Sequence, residues 1–229
     1  MRRRHEAPAL TPAQICRLAV RTLDLSGAGI SVMTNEGHRA TVCATDRVAA
    51  AIEELQFTLG EGPCVDAFHR GPVMIADLDD HDHIAHSPWP QFTAQAANAG
   101  ARALFAFPLQ VGAVRIGAFD LYRDRPGDLS EAQLGGALKF ADAAAGALLA
   151  QRYEQSTDVA LDPRQPGASY HAQVHQASGM LSVQLAIGID DAFVRLRAHA
   201  FAAERSVNDV AQDVVEGTLR FTEEEKGPQ

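Results

Sequence analysis

The chain has 229 residues, 46% of them apolar and 21% charged, which suits a globular protein of two modest domains. Its net charge of −9, with Lys139 and Lys226 its only lysines, excludes nucleic-acid binding by bulk electrostatics. No apolar run reaches the roughly 18 residues that span a bilayer. Glu6, Pro8, Pro12 and Gln14 interrupt what would follow Met1-Arg2-Arg3-Arg4 in an export signal. Three cysteines (Cys16, Cys43, Cys64) without a Cys-x-x-Cys pair agree with a reducing compartment, so a cytoplasmic location is expected.

Residues 1–10 are read as a flexible N-terminus. Thr11-Pro12 supplies an N-cap and a proline for the first turn of a helix reaching about Leu25. Two β-rich runs, 29–33 and 39–45, flank Asn35-Glu36-Gly37 and predict a hairpin. Val48, Ala49, Ile52 and Leu55 then recur at helical spacing. Gly60-Glu61-Gly62-Pro63 predicts a loop before a short helix at 65–68, a strand at 73–76 and a polar stretch over 77–90. A second β pair, 103–109 and 114–122, surrounds Gly112. Ser130-Glu131-Ala132-Gln133 is a capping box opening an alanine-rich helix to about Gln151. Helices around an antiparallel sheet define an α+β domain over 11–153. Pro163 and Pro166 mark a linker over 154–167.

Residues 168–221 read as an all-α three-helix bundle, with Glu223-Glu224-Glu225 in an acidic tail over 222–229. The first helix carries Gln176-Ala177-Ser178-Gly179-Met180, and an interior glycine costs about 1 kcal/mol against alanine. Such a cost points to a face bared for close approach by a helix or an RNA loop. Val174, Ala177, Leu181 and Leu185 form one apolar stripe, and Met180, Val183 and Ile187 an offset second one. Two stripes fit either one wide core face or a core face plus a dimer contact. On the second helix, Phe193, Leu196, Ala200 and Phe201 are expected in the core, while Arg195 and His199 project from an exposed face. Arg197 at the edge of the stripe is expected to be structural, pairing with Asp209 or Asp213. Four arginines face six acids between 170 and 221, so RNA recognition here has to rest on shape and base contacts.

The order Ala-x-Gly, then Asp191-Ala192-Phe193-x-x-Leu196-Arg197-x-x-Ala200, then Asp209-Val210-Ala211 resembles the ANTAR domain, an RNA-binding module of transcription antiterminators. Upstream, the segment from Leu55 to Cys64 (LQFTLGEGPC), with Phe107-Pro108-Leu109 and Ile116-Gly117-Ala118-Phe119, resembles a GAF domain. GAF followed by ANTAR is similar to a one-protein regulator of actinobacteria. The resemblance implies a GAF-type antiparallel sheet with flanking helices that senses a signal, and a bundle that binds RNA hairpin loops to control transcription termination. It implies no enzymatic activity, and a homodimer away from the membrane is expected. RNA-facing residues would be His175, Gln176, Ala177, Ser178, Gly179, Arg195 and His199. Ser178 stands where the best-known members carry lysine.

A GAF cup implies a small-molecule pocket, its lid formed by the Gly60 loop and the stretch after Ala76. Phe57, Cys64, Phe68, Trp89, Phe92, Phe105 and Phe107 are its lining candidates, although aromatic residues fill cores first. No cofactor is assigned. Asp77, Asp79, Asp80, His81, Asp82, His83 and His86 match no zinc spacing and read as a solvated loop, so no metal is assigned. Two alternatives stay open: a dimerising protein-contact regulator without RNA, and a GAF-type methionine sulfoxide reductase in which Cys43 and Cys64 approach across the cup.

Overall fold

The computed structural model describes residues 10–34, 37–80, 86–157 and 171–221. Thr11 and Gln14 exchange side chain-to-backbone hydrogen bonds, with Pro12 in the first turn, and start α1 (Pro12–Leu23). The helix stops at Asp24, which is left-handed, short of the expected Leu25. β1 (Gly27–Thr34) and β2 (Gly37–Ala44) pair antiparallel with Thr34 opposite Gly37, so the expected hairpin forms. Its turn residues Asn35 and Glu36 lie outside the described residues. α2 (Arg47–Leu59) begins on Asp46, whose carboxylate accepts the Val48 and Ala49 N–H groups. α3 (Pro63–Arg70) and β3 (Val73–Ile75) follow.

α4 (Pro90–Ala99) was not expected from the sequence. It starts on proline without a side-chain cap and buries Phe92 and Ala96, a stripe too short to register as a period. β4 (Ala103–Val111) and β5 (Val114–Arg123) turn back through Gly112, whose φ of 59° is costly for other residues. The Ser130–Gln133 capping box forms and opens α5 (Glu131–Thr157), which runs past Gln151. The expected proline break, the N-terminal arm and the acidic tail lie outside the described residues.

The five strands form one antiparallel sheet in the order β2-β1-β5-β4-β3. Alternation along β4 sends Phe105, Phe107 and Leu109 to one face, where they pack on Ile15, Ala19, Ala144 and Leu148 of α1 and α5. Leu104 points to the other, joining Ala49, Ile52, Trp89 and Phe92 of the α2–α4 side. The N-terminal unit is the expected α+β sheet with flanking helices.

Three helices follow: α6 (Ala172–Leu185), α7 (Ile189–Ala202) and α8 (Val207–Glu216). Ser206 caps α8 through the Asp209 N–H, and left-handed Gly217 ends it. Their core gathers Val174, Ala177, Leu181, Leu196, Val210 and Val214, and takes in Phe57 from α2. The two units therefore share a hydrophobic core. Phe201 was expected in it and is instead 48% exposed, with Phe193 only partly buried; Ala192 takes the inner position. No single described helix is long and apolar enough to cross a membrane.

Candidate nucleic-acid interface and sensor core

At 100° per residue, the α6 stripe of Val174, Ala177, Ser178, Leu181 and Leu185 faces inward, and His175, Gln176, Gly179 and Val183 face outward. This divides the sequence-predicted RNA face. Ala177 and Ser178 belong to the bundle core, and the Ser178 hydroxyl donates to the Val174 carbonyl at 2.8 Å. They are unavailable to a ligand while the bundle is packed, a correction that follows from the core side of the helix running one residue further round than the Ala-x-Gly motif suggests. Gly179 lies in the open: a Cβ there would meet nothing within 4 Å. Val183, from the offset stripe, is 83% exposed, whereas Met180 and Ile187 pack on the core edge. The wide-core reading therefore holds for two of the three residues.

On α7, Arg195 and His199 flank the Ala192, Leu196, Ala200 stripe on the side away from Arg197. Both are half-buried, and the His199 ring packs on Phe221 at 5.0 Å between centroids. They are thus less exposed than the sequence spacing suggests.

Arg197 occupies the opposite flank and is structural, with partners other than those expected. Its Nε donates to the Thr58 carbonyl at 3.0 Å, at the C-terminal end of α2, and its guanidinium lies over the Phe193 ring. Asp213 pairs instead with Arg205 at 2.8 Å. Gly60 makes the Arg197 contact feasible: it is left-handed, and a Cβ on it would overlap the guanidinium. Beside Arg197, Phe57 stacks on His171 with ring centroids 3.6 Å apart and 11° between planes. Asn208 donates to both oxygens of Glu54 at 3.2 Å. Burial pushes His171 down to about 4 and raises Glu54. The sequence carries no direct signal for this junction, because periodicity identifies an apolar face without naming its partner.

The expected pocket residues do not converge. Phe57 belongs to the bundle core, Phe105 and Phe107 to the α1/α5 face, Trp89 and Phe92 to the α2–α4 side, and Cys64 and Phe68 to a small cluster with Met33 and Ala118. They sit on three different helices and on both faces of the sheet. The cleft between α2 and the sheet, lined by Gly29, Ile52, Asp120 and Tyr122, admits no water. Open grooves of 470 and 810 Å³ lie instead where α2 and α4 meet α7, lined by Thr58, Leu59, Gln91 and Phe201 among others. In the polar stretch, Asp77 accepts the Asp79 N–H and Asp79 pairs with Arg102. His81, Asp82 and His83 lie outside the described residues, among which no group of three or more His, Cys, Asp or Glu could hold a metal ion.

What fills the cup is a buried polar cluster. The Ser31 hydroxyl donates to Glu53, Gln56 Nε2 donates to Asp120 at 2.8 Å, and the Cys64 N–H donates to Gln56 Oε1 at 2.7 Å. Glu53 Oε1 and Asp120 Oδ1 are buried without a hydrogen-bond partner. Burial, and then the facing Asp120, raise Glu53 well above its ordinary 4.5; burial also raises Asp120. The folded protein therefore holds a proton on Glu53 that the unfolded chain releases above about pH 4.5, and stability from this site falls as pH rises through that window. Glu53→Gln is expected to flatten this slope and to match or exceed the native stability above pH 7, measured by urea unfolding from pH 5 to 9. A slope unchanged in the variant would place the titration elsewhere.

Cys64 is fully buried, and Cys43 lies against Cys16 rather than Cys64, with 3.1 Å between sulfurs. The reductase alternative loses its geometric basis.

Residues 13–149 match the GAF domain family, and residues 168–215 match the ANTAR domain. The chain belongs to the GAF domain family. With the ANTAR domain behind it, this is a regulator of the GAF-ANTAR type, built from regulatory rather than catalytic modules. Similar solved structures include the GAF domain of an Acinetobacter phosphoenolpyruvate-protein phosphotransferase, 11% identical with TM-score 0.48, covering 65% of this chain and 88% of that one. A GAF domain/HD domain protein from Geobacter sulfurreducens is 16% identical with TM-score 0.42, covering 62% and 90%. Free methionine-R-sulfoxide reductase from Neisseria meningitidis is 18% identical with TM-score 0.41, covering 64% and 83%. At these scores none bears on function. No curated protein matches the chain.

Proposed function

We propose that this protein is a cytoplasmic sensory regulator whose ANTAR bundle binds RNA hairpin loops and controls transcription termination, gated by a signal received in the GAF domain. The observation that carries the reading is the pairing of a GAF domain with an ANTAR domain in one chain. The outward α6 face of His175, Gln176 and Gly179 is its RNA-contacting surface: glycine lets a loop approach the helix backbone, and the two polar side chains can bond or stack on unpaired bases. Exposed Val183 beside it, with Leu138 and Leu149 on α5, supports a homodimer that presents two such faces to paired hairpins. Gating acts through the Phe57, His171 and Arg197 junction, the point at which the sensor touches the bundle.

A bulky residue at 179 tests the face. Gly179→Trp has a Cβ that meets nothing within 4 Å and is expected to lower affinity for a paired-hairpin RNA at least tenfold, with helix content unchanged in circular dichroism. Ala177 is unsuitable, since enlarging a fully buried residue disrupts the bundle itself. Retained affinity in a folded Gly179→Trp protein would reject this face. A well-folded dimer that binds no RNA would favour the protein-contact regulator, to which the acidic bundle is better suited.

A further inference from the structure

Cys16 and Cys43 come from α1 and β2, far apart in the chain, yet their sulfurs lie 3.1 Å apart. That is about 1 Å beyond the roughly 2.05 Å of a disulfide bond. Cys16 is fully buried on the inner side of α1; Cys43 is half-buried on β2, the edge strand of the sheet. Of the two residues, Cys43 is therefore the one nearer solvent, and Cys16 lies deeper behind it. Cys64, sealed among Met33, Phe68 and Ala118, takes no part.

From this geometry we infer that Cys16 and Cys43 form a reversible dithiol/disulfide site for peroxides, with Cys43 attacked first and Cys16 resolving. The Cys43 sulfur attacks the peroxide O–O bond; the S–O bond forms, the O–O bond breaks, and the distal oxygen takes the Cys43 thiol proton and leaves as water or alcohol. The Cys16 sulfur then attacks the Cys43 sulfenic acid. The S–S bond forms, the S–O bond breaks, and hydroxide leaves with the Cys16 proton as water. Two thiols lose two electrons and the peroxide gains them; a cellular thiol reverses the bond by exchange. The contact with Cys43, followed by burial, holds the Cys16 thiol up, which makes Cys16 the poorer first nucleophile toward peroxide. Intracellular disulfides of this kind are transient and regulatory. The bond would pin α1, which packs along α5, to the sheet edge.

The site stands on geometry alone; its role as the signal input rests on reading the N-terminal domain as a sensor. The test treats the full reduced chain with hydrogen peroxide, alkylates residual thiols and maps the peptides by mass spectrometry. Loss of two of the three thiols is expected, with Cys16 and Cys43 peptides joined, Cys64 alkylated, and the thiols regained on dithiothreitol treatment. In Cys16→Ala the Cys43 sulfenic acid should accumulate and be trapped by dimedone. Cys43 advancing to sulfinic acid beside a free Cys16, or joining a second chain, would overturn the proposal even if Cys16→Ala failed to fold. RNA affinity of the mapped, oxidised protein reads the sensor role separately: an unchanged value would reject that role and leave the dithiol site standing.

Discussion

Phe57→Ala is expected to destabilise the protein by about 3–5 kcal/mol, the usual cost of removing a fully buried aromatic side chain. The effect should be distributed unevenly. Phe57 belongs to α2 by sequence and to the helical bundle by packing, where it meets His171 and Phe193. Hydrogen-exchange protection should fall first in α6 and α7, with the sheet amides protected until global unfolding. A loss below about 1 kcal/mol would mean that the bundle does not depend on the sensor, and the junction would lose its claim to transmit anything.

The second large effect is a response to acid. His171 has a folded value of about 4 against its ordinary 6.5. A released junction therefore binds the proton better than a docked one. The contribution of His171 to docking is complete above about pH 6.5 and is lost as pH falls toward 4, at most about 3.5 kcal/mol at 1.4 kcal/mol per unit. His175 faces His171, while Glu54, with Asp209 beside it, is held by the same Asn208 that contacts the His171 ring. Burial raises Glu54, so it takes up a proton more readily in the docked state and offsets part of the loss. Glu53 and Asp120, in the cup, titrate with the opposite sign to His171. His171→Phe keeps a ring against Phe57 and removes the charge. It is expected to abolish most of the pH dependence of bundle protection between pH 4 and 6.5. An unaltered profile would show that another group drives the release.

Much of the architecture is legible in local chemistry. Thr11 with Gln14 and Ser130 with Gln133 announce two helices, Gly112 marks a hairpin, and the motif Asp191-Ala192-Phe193 marks the second helix of the bundle. α4 escaped because Pro90 replaces a capping side chain and its buried stripe is short. The site was less legible for a different reason. Motif spacing places Ala177, Ser178 and Gly179 together, but 100° per residue puts two of them inside the core and one outside. Phe57 and Arg197 could be assigned apolar and edge positions on their own helices, yet their true partners lie in the other domain, beyond the reach of any local pattern. The reductase alternative requires Cys43 to approach Cys64; the sheet brings it to Cys16 instead, because β2 lies at the edge beside α1.

The most direct measurement is a titration of the full chain against a paired-hairpin RNA from its own genomic neighbourhood, at two salt concentrations, beside an RNA with altered loops. Loop-dependent binding with a shallow salt slope is expected, because an acidic bundle reads unpaired bases and makes few phosphate contacts. Binding that ignores the loop sequence and collapses with salt, or no binding by the folded protein, would contradict it.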